Sequence, residues 1–230
     1  MKKAAYLLFC GVLMAGVLYA QDAPVEKVTG GDELVKEKGA FAETWVRPDA
    51  DMSRYSKLYL WQPEFQFREG GATSAGTSIQ LSRGDTGPYV IRPEDRERFQ
   101  KLVSDTFVAE LERSKMFEVA NTPGPGTLIV RSGFVDITSN VPPNPTGPVN
   151  IHLEAVGEAS IVFELIDAGT GVIQARAAER QLIKPEFRMS GVNAAPANSA
   201  TVWAEVERWA REQAQNLRKA LEKAKKKAQN

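Results

Sequence analysis

One run of alternating residues constrains the fold of this chain more than any other feature. In IHLEAVGEASIVFELI, every odd-numbered position from Ile151 to Leu165 is apolar or glycine, whereas charged and polar residues hold most of the even-numbered positions. Successive side chains of a β-strand point to opposite faces, so this alternation predicts a long strand with one buried face and one face toward water. The chain must therefore contain a sheet whose apolar face another element covers.

A hairpin is predicted directly after this strand. The sequence DAGTG favours a tight turn in which Gly171 takes a positive φ, and 172–183 then returns as the partner strand. Other β-prone runs predict further strands at 55–67, 117–120 and 127–138.

The register of the hairpin decides which charged residues oppose one another. Because same-face residues of neighbouring strands are paired, either Glu164 meets Arg176 or Glu158 meets Arg180. Exposed ion pairs of this kind are common and weak. We interpret either pair as surface cross-strand pairing and not as part of a catalytic site.

Two amphipathic helices are predicted to cover the apolar face of the sheet. The first begins at Pro93, which suits the first helical position, and its apolar stripe comprises Phe99, Leu102, Val103, Phe107 and Leu111. The second begins near Ser199 and is expected to fray beyond about Leu221; its apolar stripe comprises Val202, Trp203, Val206, Trp209, Ala210, Leu217 and Leu221.

The order of these elements predicts an α+β fold. We expect a mostly antiparallel sheet of about four to five strands, with the two amphipathic helices packed on one face. A single domain is expected over 55–230. It follows a loosely ordered lead-in at 21–54, in which 32–38 favours a short helix.

The first twenty residues have the layout of a secretory signal peptide. Two lysines precede an apolar run that ends at Ala20, and this run is too short for a comfortable transmembrane span. Cys10 is a poor lipid-anchor site, because bulky Phe9 precedes it and mostly apolar residues follow it. We expect cleavage after Ala20 and a periplasmic protein, with a membrane-anchored lipoprotein as the alternative.

Composition excludes several kinds of chemistry. Cleavage would remove the only cysteine, and with it disulfides, thiol catalysis and cysteine-ligated metals. The 29 basic and 29 acidic residues balance, so no global field favours a nucleic-acid partner. The single histidine, His152, is predicted on the water-facing side of a strand, and the sequence contains no G-x-S-x-G, H-E-x-x-H or P-loop motif. We expect no catalytic residues, no metal site and no cofactor.

A hydrolase with two carboxylates is the least favoured function. Glu154, Glu158 and Glu164 lie along one face of the predicted strand. At a rise of about 3.3 Å per residue, Cα atoms four residues apart are separated by about 13 Å and those six apart by about 20 Å. Catalytic carboxyl groups are separated by about 5 to 9.5 Å, so these glutamates do not fit the role.

The strand predicted at 55–67 supplies the candidate binding surface. Tyr59, Trp61, Phe65 and Phe67 share one parity, and leucines of the other parity make both faces of this strand apolar at its start. One face serves the core, and the other is either covered by a second layer or presented to a ligand or partner. The four aromatic residues are therefore the candidate partner or ligand surface, with core packing as the alternative.

A cluster of lysines ends the second helix: Lys223, Lys225, Lys226 and Lys227. Lysines near an anionic membrane contribute about 1 kcal/mol each, so a weak contact with lipid headgroups is one interpretation. A solvated helix end is the other, because cations there also stabilise the helix dipole.

Several segments together resemble one known family. They are ETWVRPDADMSRYSKLYL, PGTLIVRSGFVDITSNVPP, GEASIVFELIDAGTGVIQARAAER and the tryptophan-rich C-terminal helix. In order and character these segments resemble the bacterial envelope lipoproteins catalogued as domain of unknown function family 3313, over most of 43–222. Members typically carry a lipobox cysteine, which this sequence lacks. The resemblance implies an envelope location and no assigned activity.

The sequence thus predicts an exported envelope protein that is not an enzyme. We expect an accessory or protein-interaction module whose partner is another envelope protein. The alternatives are a periplasmic carrier of a small apolar ligand and, third, a hydrolase. An exposed aromatic face would favour partner binding, whereas a closed cavity behind Trp61 and Phe65 would favour the carrier.

Overall fold

The structure, a computed structural model, describes residues 34–68, 88–142, 152–186, 188–189, 192–193 and 195–229. The predicted signal peptide with Cys10 lies outside these residues. In chain order the elements are β1 (Val35–Lys36), β2 (Glu43–Val46), a 3₁₀ turn (Met52–Arg54), β3 (Lys57–Leu60), β4 (Glu64–Phe67), α1 (Pro93–Leu111), β5 (Glu118–Ala120), β6 (Thr127–Ser139), β7 (His152–Leu153), β8 (Gly157–Asp167), β9 (Ile173–Ile183), β10 (Arg188–Met189), β11 (Val192–Asn193), β12 (Ala195–Pro196) and α2 (Ser199–Gln229).

An eight-stranded sheet forms the centre of the fold, in the order β1-β2-β9-β8-β6-β3-β5, with β4 also paired to β6. The neighbouring pairs β1–β2, β2–β9, β9–β8 and β8–β6 are antiparallel. Strands β3 and β4 instead run parallel to β6, and β5 runs parallel to β3. Parallel neighbours require a crossover connection. Helix α1 provides it, because it follows β3 and β4 in the chain and precedes their parallel partners β5 and β6. The α+β class is confirmed; the sheet is mixed and larger than the four to five mostly antiparallel strands expected.

Both helices pack on the same face of the sheet. The ring of Phe134 on β6 contacts Phe107 of α1, with ring centroids 5.3 Å apart, and Trp209 of α2, at 6.3 Å. The buried residues of both helices and of the inner sheet face form one hydrophobic cluster. The prediction of two amphipathic helices on one face is therefore confirmed.

The predicted long strand is divided in two. Its first part, β7, pairs with β12 in a separate two-stranded sheet, and β8 begins only at Gly157. Within β8 the predicted alternation holds, because Ala159, Ile161 and Phe163 are each no more than 1% exposed. The expectation of a single strand over 151–165 is wrong, whereas the choice of its buried face is confirmed.

The hairpin of β8 and β9 forms both of the expected ion pairs. Glu164 lies directly opposite Arg176, whereas Arg180 lies opposite Ser160 and reaches diagonally to Glu158. The assumption that the register permits only one pair was wrong, because a long arginine side chain also reaches its diagonal neighbour.

The lead-in expected at 21–54 belongs to the domain over its described part. Residues 34–54 contribute the edge strand β1 and its neighbour β2, together with two core side chains, Phe41 and Met52. The short helix expected at 32–38 is contradicted by strand β1 within that range.

Candidate functional site

A cleft of about 550 Å³ lies between the C-terminal half of α2 and the inner face of β2, β8 and β9. This volume falls within the range of about 300 to 1,000 Å³ that is typical of small-molecule sites. Phe41, which precedes β2, and Met52, in the 3₁₀ turn that follows it, also line the cleft. The cleft is therefore an indentation of the hydrophobic core that opens at one edge of the sheet.

Small side chains on facing elements leave this space unfilled. Ala175 and Ala177 of β9 line one wall, and Ala220 and Ala224 of α2 line the other. The larger apolar lining residues are Phe41, Val46, Met52, Phe163, Leu165, Leu217 and Leu221. Since alanine provides little volume, the sheet and the helix cannot fill the gap between them without closer approach.

Cations surround the opening of the cleft. Lys219, Lys223 and Lys227 of α2 line it on one side, and Lys38 lines it beside β1. All four lysines are exposed. Among the described residues that line the cleft, the only acidic one is Glu37. The cleft thus combines an apolar interior with a positively charged rim.

The four aromatic candidates do not share a face. Tyr59 and Trp61 contact each other edge to face, with ring centroids 6.2 Å apart, and Trp61 is 50% exposed. Phe65 instead stacks on the buried ring of Phe134, at 5.1 Å, and Phe67 meets Phe99 of α1 at 5.9 Å. The expectation of one shared face is therefore wrong, and Phe65 and Phe67 belong to the core side of the sheet.

A change of register explains this division. Strand β3 pairs Leu60 with Val130, whereas β4 pairs Phe65 with Phe134, so the offset to β6 changes by one residue across the break at Pro63. A shift of one residue turns every side chain to the opposite face of a sheet. Tyr59 and Phe65 therefore point to opposite faces although both have odd numbers.

The lysine cluster at the end of α2 is also divided. Lys225 is only 8% exposed, and its Nζ donates hydrogen bonds to two backbone carbonyls. It is therefore not available for headgroup contact, which corrects that part of the prediction. Lys223, Lys226 and Lys227 are exposed, and their contact with a membrane surface stays a prediction.

Two further features of the described residues bear on the expected chemistry. Among the residues that the structure describes, no three His, Cys, Asp or Glu side chains lie close enough to hold a metal ion. No helix within that same part of the chain is long and apolar enough to cross a membrane. His152 belongs to the short strand β7.

The sequence reasoning missed the cleft itself. The alanines of β9 and the lysines spaced four residues apart on α2 were its visible signals. These residues indicate a cleft only when α2 is placed against β9, and the sequence alone does not give that placement.

Comparison with known proteins gives distant similarity of fold only. No family model matches the chain, so the resemblance to domain of unknown function family 3313 stays a prediction. No curated protein matches either.

Three solved structures resemble the chain at low similarity. A Xanthomonas campestris protein of domain of unknown function family 330 has 11% identity and a TM-score of 0.41, covering 76% of this chain and 89% of its own. The PelC dodecamer from Paraburkholderia phytofirmans has 9% identity and a TM-score of 0.33, covering 80% and 96%. A protein of domain of unknown function family 4136 from Bacteroides thetaiotaomicron has 11% identity and a TM-score of 0.33, covering 83% and 98%.

Proposed function

We propose that this chain is an exported, non-catalytic envelope protein that carries a small apolar ligand in the cleft beneath α2. The apolar cleft of about 550 Å³ is the observation that carries the proposal. Binding sites for small molecules are typically concave and mostly apolar, with a few polar groups at defined positions. The signal-like N-terminal layout supports export, and we expect a periplasmic location after cleavage following Ala20.

The cleft does not lie behind Trp61 and Phe65, where a closed cavity would have favoured the carrier function. It lies toward the β1 end of the strand order, beside β2 and β9, whereas β3 and β4 pair with β6 nearer the opposite end. Phe65 fills its own side of the core by stacking on Phe134. The carrier function is therefore supported by a different part of the molecule.

A fluorescent probe that is neutral and apolar, N-phenyl-1-naphthylamine, tests this function. We expect saturable binding to the protein purified from cells that express the whole gene. The substitution Ala220→Leu adds apolar volume inside the cleft on a helix that tolerates leucine well, and it should weaken binding at least tenfold. Ala228→Leu makes the same change on the same helix at an exposed position that does not line the cleft, and should leave binding unchanged.

Two outcomes of this experiment would contradict the carrier function. One is a probe that does not bind, and the other is binding that Ala220→Leu and Ala228→Leu affect equally. Circular dichroism of both variants establishes that α2 is intact in each.

A second candidate function is the interaction module expected from the sequence. It is favoured by the exposed indole of Trp61 beside Tyr59, because exposed aromatic side chains are enriched where proteins meet. Site-specific photocrosslinking in intact cells tests it, with the photoreactive residue at position 61 and, as a control, at exposed Gln66. A single envelope protein crosslinked from position 61 alone would support this function, and equal crosslinking from both positions would contradict it.

A further inference from the structure

We propose that the ligand of the cleft is a single-chain amphiphile with an anionic headgroup, such as a long-chain fatty acid, whose headgroup is bound by Lys219, Lys223 and Lys227. This inference rests on the proposed carrier function and adds the chemical class of the ligand. The apolar interior would take the alkyl chain, and the rim would take the carboxylate.

The three lysines form one row on α2. Residues four apart on an α-helix are neighbours on the same face, so Lys219, Lys223 and Lys227 lie in line along the opening of the cleft. Like charges at this spacing destabilise a helix. An anion placed between them would relieve the repulsion and would be attracted by more than one charge.

None of the three lysines has an ion pair within the part of the chain that the structure describes. The arginines of α2 differ, because Arg208, Arg211 and Arg218 each pair with a carboxylate. Within that part of the chain, the arginines of α2 thus have counter-charges, whereas the lysines beside the cleft, like the exposed Lys226, have none.

The helix dipole does not explain the row. Its effect is confined to the last turn of a helix, which in α2 contains Lys226 and Lys227. Lys219 and Lys223 lie further from the end of the helix, and both line the cleft. Their position follows the cleft and not the helix terminus.

The size and composition of the cleft argue for one alkyl chain and against a membrane surface as the occupant. A volume of about 550 Å³ is that of a small-molecule site and cannot accommodate part of a bilayer. Its interior is lined by apolar side chains, so a small hydrophilic anion such as phosphate would leave the interior unfilled. Lys38, beside β1, adds a fourth exposed lysine to the lining of the cleft.

Ligands of equal chain length distinguish the contribution of the headgroup to binding from that of the alkyl chain. The measurement is displacement of the neutral probe by dodecanoate, dodecanol or dodecyltrimethylammonium. It is made on the wild-type protein and on the triple variant Lys219→Gln, Lys223→Gln, Lys227→Gln. The matched control removes three exposed lysines that do not line the cleft: Lys57→Gln, Lys115→Gln, Lys226→Gln. We expect the wild type and the control to bind dodecanoate at least tenfold more tightly than dodecanol, with the cation weakest. The triple variant should lose this preference and still bind dodecanol with wild-type affinity.

Three outcomes would overturn the inference. If dodecanol and dodecanoate bind equally to the wild type, the headgroup assignment fails while the carrier function stands. If neither ligand nor the probe binds, both fail. If light scattering shows a dimer that the triple variant dissociates, the row contacts a second copy of the chain and not an amphiphile.

A vesicle control distinguishes free ligand from membrane. Vesicles with anionic phospholipids should compete for the probe no better than neutral vesicles of the same size. If the triple variant loses binding to anionic vesicles while its affinity for dodecanoate is unchanged, the lysines contact the bilayer surface and the inference is wrong.

Discussion

The Nζ of Lys225 donates a hydrogen bond of 2.6 Å to the backbone carbonyl oxygen of Tyr55, a residue 170 positions earlier in the chain. The same ammonium donates to the carbonyl of Met116 at 2.9 Å and lies 4.6 Å from the centre of the Phe117 ring. These contacts join the end of α2 to the segments that precede β3 and β5. They explain why α2 continues to Gln229, whereas the sequence predicted that the helix would fray beyond about Leu221.

Replacing this lysine by an apolar residue of similar length should destabilise the protein. Lys225→Met leaves two carbonyl oxygens without this donor at a site where the lysine is 8% exposed, and the cost of leaving a buried polar group unpaired is about 1–3 kcal/mol. Urea unfolding should show a decrease of that size in the free energy of unfolding. Lys226→Met, on the adjacent exposed residue, should change it by no more than about 0.5 kcal/mol. Equal effects of the two substitutions would contradict a structural role for Lys225.

The hydrogen bond from the Tyr55 hydroxyl to Asp167 predicts a pH dependence of stability. The bond is 2.7 Å long and buried. This bond, followed by those from the backbone N–H groups of Thr170 and Gly169, lowers the pKa of Asp167 below its ordinary value of 3.8. Burial, followed by the hydrogen bond to Asp167, raises the pKa of Tyr55 above its ordinary value of 10.0.

The two shifts define a window in which the pair is fully stabilising. The contribution of Asp167 is complete above pH 3.8 and is lost as the pH falls from there through its folded-state pKa. The contribution of Tyr55 is complete below pH 10.0 and is lost as the pH rises from there through its raised pKa. The difference in unfolding free energy between wild type and Tyr55→Phe should therefore be constant from about pH 4 to 10, at about 1.5–3 kcal/mol for a hydrogen bond to a charged group. A difference that does not decrease below pH 3.8 would contradict this assignment.

Glycine is required at position 157 by a close approach of backbone. A Cβ at Gly157 would lie 2.3 Å from the carbonyl oxygen of Thr138, on the neighbouring strand β6. Gly157→Ala should therefore separate the strands locally and cost about 1–3 kcal/mol, as overpacked core substitutions do. Gly133→Ala is the matched control, because a Cβ there would meet no atom within 4 Å. Thermal unfolding of both variants should show a lower Tm for Gly157→Ala alone.

The parts of the fold that local patterns determine could be predicted from the sequence. The strict alternation of β8 indicated its buried face, and Gly171 has the expected positive φ, at 72°. Pro93 begins α1 as its preference for the first helical position suggests. In each case the residues that determine the structure are close together in the chain.

The remaining parts depend on contacts between distant segments. The opposite orientations of Tyr59 and Phe65 follow from how β3 and β4 each pair with β6. Strand β6 itself has an irregularity between Val135 and Thr138, where Asp136 has a φ of 55°. The parity of a single strand cannot reveal either feature. The cleft likewise arises only where the alanines of β9 and α2 face one another.

Two glutamates on the outer face of the sheet, Glu158 and Glu164, hold equivalent positions in the alternating pattern of β8 but differ in their surroundings. Glu164 is 7% exposed although it points away from the helices, because Arg131 and Arg176 cover it from the strands on either side. The side chain of Glu158 is 25% exposed, and it pairs with Arg180.

Neutralising the two carboxylates should therefore have unequal effects on stability. Glu164→Gln leaves two guanidinium groups facing one another without a counter-charge, and we expect a loss of about 1–3 kcal/mol, as for other buried charged hydrogen bonds whose partner is removed. Glu158→Gln removes a more exposed ion pair, which is worth about 0–1 kcal/mol. Raising the salt concentration to 1 M shortens the screening length to about 3 Å. It should reduce the effect of Glu158→Gln more than that of Glu164→Gln, because buried pairs are screened less. Urea unfolding at low and high salt measures both effects, and equal losses for the two variants would show that the cover provided by Arg131 and Arg176 has no energetic consequence.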